Sequence, residues 1–100
     1  YADALAVSPV SFMEVGQKMK KKKLSLPMSL DKWTDEICSK YSLTVIPLTR
    51  DIAVRASELP DIHLDPFDRI IIATAVVNSL TIVSSDRIFT QYSDAVKVVW

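Results

Sequence analysis

The chain has 100 residues, 49% of them hydrophobic, and its twelve basic and twelve acidic residues cancel. This is the composition of one globular domain, residues 1–100, and a zero net charge confines any nucleic-acid-binding site to a local patch. A single cysteine, Cys38, excludes an internal disulfide and fits a reducing cytoplasm, and no apolar run nears the roughly 20 residues of a membrane span.

Tyr1 is not a methionine, and the chain enters Leu5-Ala6-Val7 with little lead-in, so its start reads as that of a fragment. No secretory signal is visible. The run Leu5–Val7 reads as a buried strand, and Ser8-Pro9 as the cap and first residue of a helix. That helix carries Val10, Phe12, Met13 and Val15, holds Glu14 about two turns in, and ends at Lys20-Lys21-Lys22-Lys23. Cations suit that end of the helix dipole. The lysines are either a solvated helix end or a phosphate-facing patch. Ser29 caps a second helix with Leu30, Trp33, Ile37 and Cys38 on its apolar face, ending at Tyr41. Leu43–Leu48 reads as a strand with Pro47 near its end. Thr49 caps a third helix through Ile52, Val54, Ala56 and Leu59, stopped by Pro60. A central helix follows, then a strand Leu80–Val83, a short helix with Ile88, Phe89 and Tyr92, and a last strand Val96–Trp100. Strands alternating with helices predict an α/β fold, a parallel sheet with helices on both faces. One glycine, Gly16, excludes a glycine-rich phosphate loop.

The central stretch runs from His63 to Ser79. Asp65 is a good N-cap and Pro66 falls at the first helical position, where its missing N–H costs nothing. Asp68 is then the third helical residue, at the positive end of the dipole. The body that follows, Ile70-Ile71-Ile72-Ala73-Thr74-Ala75-Val76-Val77, is apolar almost all round and must be covered on every side. Ile72 and Ala75 are expected in the core. Asp65 and Asp68 are either a capping box or the start of a site. Arg69 reads as a local ion-pair partner of these two acids. His63 reads as a hydrogen-bonded loop histidine, with metal ligation or general-base work as the alternative.

In open parallel sheets, ligands bind at the carboxyl ends of the strands. Asp68 opens a helix at that edge, Asp86 follows the strand Leu80–Val83, and Glu14 lies on the helix leaving the first strand. The three acids are therefore expected to converge. An all-oxygen cluster suits Mg²⁺ or Mn²⁺ rather than zinc, and such a site activates water against a phosphodiester. Singly, each acid has a plainer reading, as a cap, a helix start or a surface residue. Ser84 and Ser85 either bond the site or cap the short helix.

His63-Leu64-Asp65-Pro66-Phe67-Asp68-Arg69 followed by Ile70-Ile71-Ile72-Ala73 resembles the signature of PIN-domain proteins of the VapC toxin type. Val7-Ser8-Pro9-Val10-Ser11-Phe12-Met13-Glu14, Thr81-Ile82-Val83-Ser84-Ser85-Asp86 and Val98-Val99-Trp100 are similar to three further stretches of that family. The resemblance implies a PIN-like fold and a Mg²⁺- or Mn²⁺-dependent endoribonuclease held inactive by a cognate antitoxin. It also implies helix-to-helix homodimers. It assigns Glu14, Asp68 and Asp86 to three of four acidic positions. It gives Asp65 and Arg69 a mainly structural role and puts Ser84 where a threonine often stands near the metal. The family's first acid lies on a strand ahead of the segment that begins here, and Asp3 is too close to Leu5–Val7 to replace it. The chain thus reads as N-terminally truncated, with an exposed sheet edge that favours association. The implied protein is a cytoplasmic enzyme acting on RNA, with no membrane partner. The alternative is a catalytically impaired PIN remnant that acts as a binding module.

Overall fold

Each of four helices begins where the sequence offers a capping oxygen. The computed structural model of the chain describes residues 5–83, 86–92 and 96–99. Helix α1 spans Pro9–Lys20, α2 Leu30–Lys40, α3 Arg50–Glu58 and α4 Pro66–Val77. Their N-caps are Ser8, Ser29, Thr49 and Asp65. The Ser29 hydroxyl accepts from the Lys32 N–H at 3.2 Å, and the Thr49 hydroxyl from Ile52 at 3.2 Å. Each satisfies a donor that a helix start leaves open.

Three helix ends use the left-handed conformation without glycine, at Lys22 (φ 57°), Ser42 (φ 51°) and Ser79 (φ 55°). After α1, the Lys23 N–H donates to the Lys18 carbonyl at 2.9 Å and Lys22 to Met19 at 3.0 Å. After α4, Leu80 donates to Ala75 at 2.8 Å and Ser79 to Val76 at 3.3 Å. This reciprocal pair satisfies the last carbonyls of each helix. The lysine run is accordingly an exposed, capped helix end.

The strands are β1 (Leu5–Val7), β2 (Leu43–Val45), β3 (Ile82–Val83) and β4 (Val98–Val99). β1 pairs β2 in parallel, Leu5 opposite Leu43 and Val7 opposite Val45, and β3 pairs β4 in parallel, Ile82 opposite Val98. The chain is thus α/β, as the alternating pattern predicts. Three strands are shorter than the sequence suggests, each for a local reason. Ile46 still donates to the Val7 carbonyl at 3.0 Å, but Pro47 has no N–H with which to continue. Leu80 is spent on the end of α4, and Val96 donates to the Tyr92 carbonyl at 3.1 Å instead of joining a ladder.

The chain forms two compact units, residues 1–47 and 48–100. The first contains α1, the β1–β2 pair and α2, with α2 packed beside β2. In the second, α3 packs along α4, and a 3-10 helix, Arg87–Tyr92, also meets α4. The core of this unit is Ile72, Ala75, Ile82, Phe89, Tyr92 and Val96, with Leu59, Ile71, Val76, Ile88 and Val98 packed against it. Ile72 is fully buried and Ala75 nearly so, as expected. No residue of α4 from Phe67 to Val77 is exposed, the outcome required of a helix with no polar stripe. No helix among the described residues is long and apolar enough to cross a membrane.

Candidate functional site

The start of α4 brings together His63, Asp65 and Asp68. Each offers a ligand atom, and these atoms lie within 4.8 Å of one another. The three do different work. Asp65 is the cap: its Oδ1 accepts from the N–H of Phe67 at 2.9 Å and of Asp68 at 3.3 Å. His63 Nε2 lies 2.8 Å from Asp68 Oδ2. A carboxylate can only accept, so the imidazole Nε2 is the donor. Asp68 therefore has His63 as its partner rather than the reciprocal half of a capping box.

Arg69 departs from the sequence expectation of an ion pair with Asp65 and Asp68. Its side chain is buried and turns to the loop that joins α3 to α4. Nε donates to the Ala56 carbonyl at 3.1 Å, Nη2 to Leu59 at 2.8 Å, and Nη1 to Pro60 at 3.1 Å and His63 at 3.0 Å. Its carboxylate neighbour is the exposed Asp61, at 3.6 Å. Adjacent helical residues do not face each other, which separates Arg69 from Asp68, and Asp65 is occupied by its own helix. Arg69 is thus bonded to backbone carbonyls rather than to the two acids at the start of α4.

Tyr92 is a member of this site that the sequence reading placed only in a short helix, with no role at the site. Its hydroxyl accepts from the His63 N–H at 2.9 Å and lies 3.0 Å from the Pro60 carbonyl and 3.1 Å from that of His63, either of which can take its proton. The available signal was chemical: a buried tyrosine hydroxyl needs a partner.

The other expected residues are placed individually. Asp86 is exposed in the second unit, just before the 3-10 helix, and its Oδ1 accepts from the Ile88 N–H at 3.0 Å. Glu14 is half-buried on α1, in the first unit. Ser84 lies outside the described residues, as does Asp3.

A hard divalent cation takes carboxylate oxygens. Asp68 fits such an ion as a single ligand, half-buried with 19% of its side chain exposed. Within the triad Asp65 Oδ1 already serves the helix and His63 Nε2 serves Asp68.

The PIN domain family model matches residues 1–95, across both units, and the chain belongs to that family. Among curated proteins it is similar to Ribonuclease VapC22 of Mycobacterium tuberculosis (strain ATCC 25618 / H37Rv), with 28% identity over 88 residues. The aligned region is 87% of this chain and 66% of that protein, so the chain spans just under two thirds of its relative. No solved structure matches the chain significantly.

Proposed function

We propose that the chain is a divalent-metal-dependent endoribonuclease of the toxin–antitoxin type. Its substrate is RNA, its partner a cognate antitoxin, and it works as a homodimer in the cytoplasm. Glu14, Asp68 and Asp86 are its acidic residues, with Ser84 in support. The PIN family membership and the similarity to a VapC ribonuclease support this reading. One structural observation carries it furthest: Asp68 sits at the third position of a helix buried along its whole body, held from the side by His63.

Bound Mg²⁺ or Mn²⁺ supplies an activated water and neutralises charge on the phosphodiester. Asp68 offers an oxygen to the ion from a helix that cannot shift without disrupting its core. Asp65 fixes the start of that helix, and Arg69 fixes the loop before it.

The test is cleavage of a labelled RNA pool with Mg²⁺ or Mn²⁺, against a chelator control. The expected result is metal-dependent cleavage, abolished by Asp68→Asn. Cleavage that survives chelation, or that Asp68→Asn leaves intact, overturns the assignment. A folded chain that does not cut with either metal is a binding module.

A further inference from the structure

We propose that His63 is a positioning residue for the metal ligand Asp68: its imidazole fixes the carboxylate, and buried Tyr92 and Arg69 fix the backbone that carries the imidazole. This rests on the nuclease reading above and adds a residue to it.

The loop holding His63 is not anchored by its apolar neighbours. Ile62 is 48% exposed and Leu64 71%. Polar groups hold it instead. The His63 N–H is taken by the Tyr92 hydroxyl, and its carbonyl receives Arg69 Nη1 at 3.0 Å. Both anchors are buried, Tyr92 at 2% exposure and Arg69 at 8%, while the His63 and Asp68 side chains are 29% and 19% exposed. Rigidity thus passes outward from a packed scaffold to a carboxylate that solvent can reach. The bond to Oδ2 occupies one oxygen and restrains rotation of the carboxylate, so that Oδ1 is offered in one direction. Hydrogen-bonded partners of metal-ligating groups orient them, and their removal typically costs about 10–100-fold in metal affinity or activity. Capping of α4 does not need the His63–Asp68 bond, since the Asp65 carboxylate already accepts from the first N–H groups of the helix.

His63 is the only histidine in the chain, so its imidazole ¹⁵N resonances are unambiguous in the full-length protein. Titration with Mg²⁺ alone is expected to move them saturably in the wild type and to leave them unmoved in Asp68→Asn. Calorimetry with Mn²⁺ is expected to show affinity lower by about 10–100-fold in His63→Leu, with much of it regained in His63→Gln, whose amide donates from a similar position. Resonances that stay fixed while calorimetry shows Mn²⁺ binding overturn the positioning role, as does a folded His63→Leu protein of wild-type affinity. If His63→Leu does not fold, the wild-type titration and His63→Gln still decide. Asp68→Asn binding Mn²⁺ as well as the wild type, or a wild type that binds no metal, overturns both this role and the nuclease reading. Loss of binding in Asp68→Asn with no effect at His63 overturns only the role.

Discussion

Helices α2 and α4 have nearly the same length, 11 and 12 residues, and opposite fates. α2 carries Asp31, Lys32, Asp35, Glu36 and Lys40 around its circumference and has no buried residue. α4 confines its charges to Asp68 and Arg69 in the first turn and buries Arg69, Ile72, Ala73, Thr74 and Ala75. α2 half-buries Leu30, Trp33, Ile37 and Cys38 along one stripe and leaves the rest to water. A helix of the second kind can hold a carboxylate still, because moving it exposes a core. A helix of the first kind can slide or tilt at small cost. The difference explains why the candidate ligand Asp68 and its supports Arg69 and His63 collect at the start of α4.

The largest test of this contrast removes the centre of the packed helix. Ile72 is fully buried, so Ile72→Ala is expected to destabilise the chain by about 2–5 kcal/mol through lost burial and the cavity left behind. Ile37→Ala, on the half-buried stripe of α2, is expected to cost less than half as much. Urea denaturation of both variants checks the pair. An unchanged midpoint for Ile72→Ala, or equal losses at the two sites, breaks the contrast.

Next in size is Arg69→Lys. The guanidinium reaches four carbonyls in a fixed fork, whereas an ammonium is a point donor that cannot span them. Bonds from a charged donor contribute about 1.5–3 kcal/mol each, so losing one of the four is expected to cost about 1.5–3 kcal/mol. Thermal unfolding measures the loss. Backbone hydrogen exchange should rise first at His63, whose carbonyl loses a donor. A wild-type melting temperature would mean that the loop is held by Tyr92 alone.

Much of this architecture is legible in the sequence because it is local. Ser8, Ser29, Thr49 and Asp65 act within a few residues of themselves, so each cap and helix start follows from neighbouring residues. The burial of α4 follows from its lack of polar residues. The hidden part is what crosses the fold. Arg69 reaches 13 residues back to Ala56, and Tyr92 reaches 29 residues back to His63. Sequence adjacency therefore suggests acid partners for Arg69, whereas the curl of the loop supplies carbonyls. Strand lengths were obscured for a similar reason: Leu80 and Val96 are apolar, but helix and turn bonds claim their backbone first.

The smallest expected effect sharpens the contrast from the loosely packed side. Gly16 lies within α1, and a Cβ built there meets a Leu30 δ-carbon at 3.0 Å. The backbone at Gly16 is ordinary helix, since no glycine has positive φ. Alanine is favoured over glycine inside a helix by about 0.8–1 kcal/mol. Against this gain stands the small displacement required of Leu30, whose terminal methyl is the flexible end of a half-buried side chain. On a helix as lightly buried as α2 that adjustment is cheap, so Gly16→Ala is expected to stabilise the chain by about 0.5 kcal/mol. Chemical denaturation against the wild type reads the sign directly. A net loss greater than about 1 kcal/mol would show that Leu30 cannot yield and that the contact between α1 and α2 is as tightly packed as the core around α4.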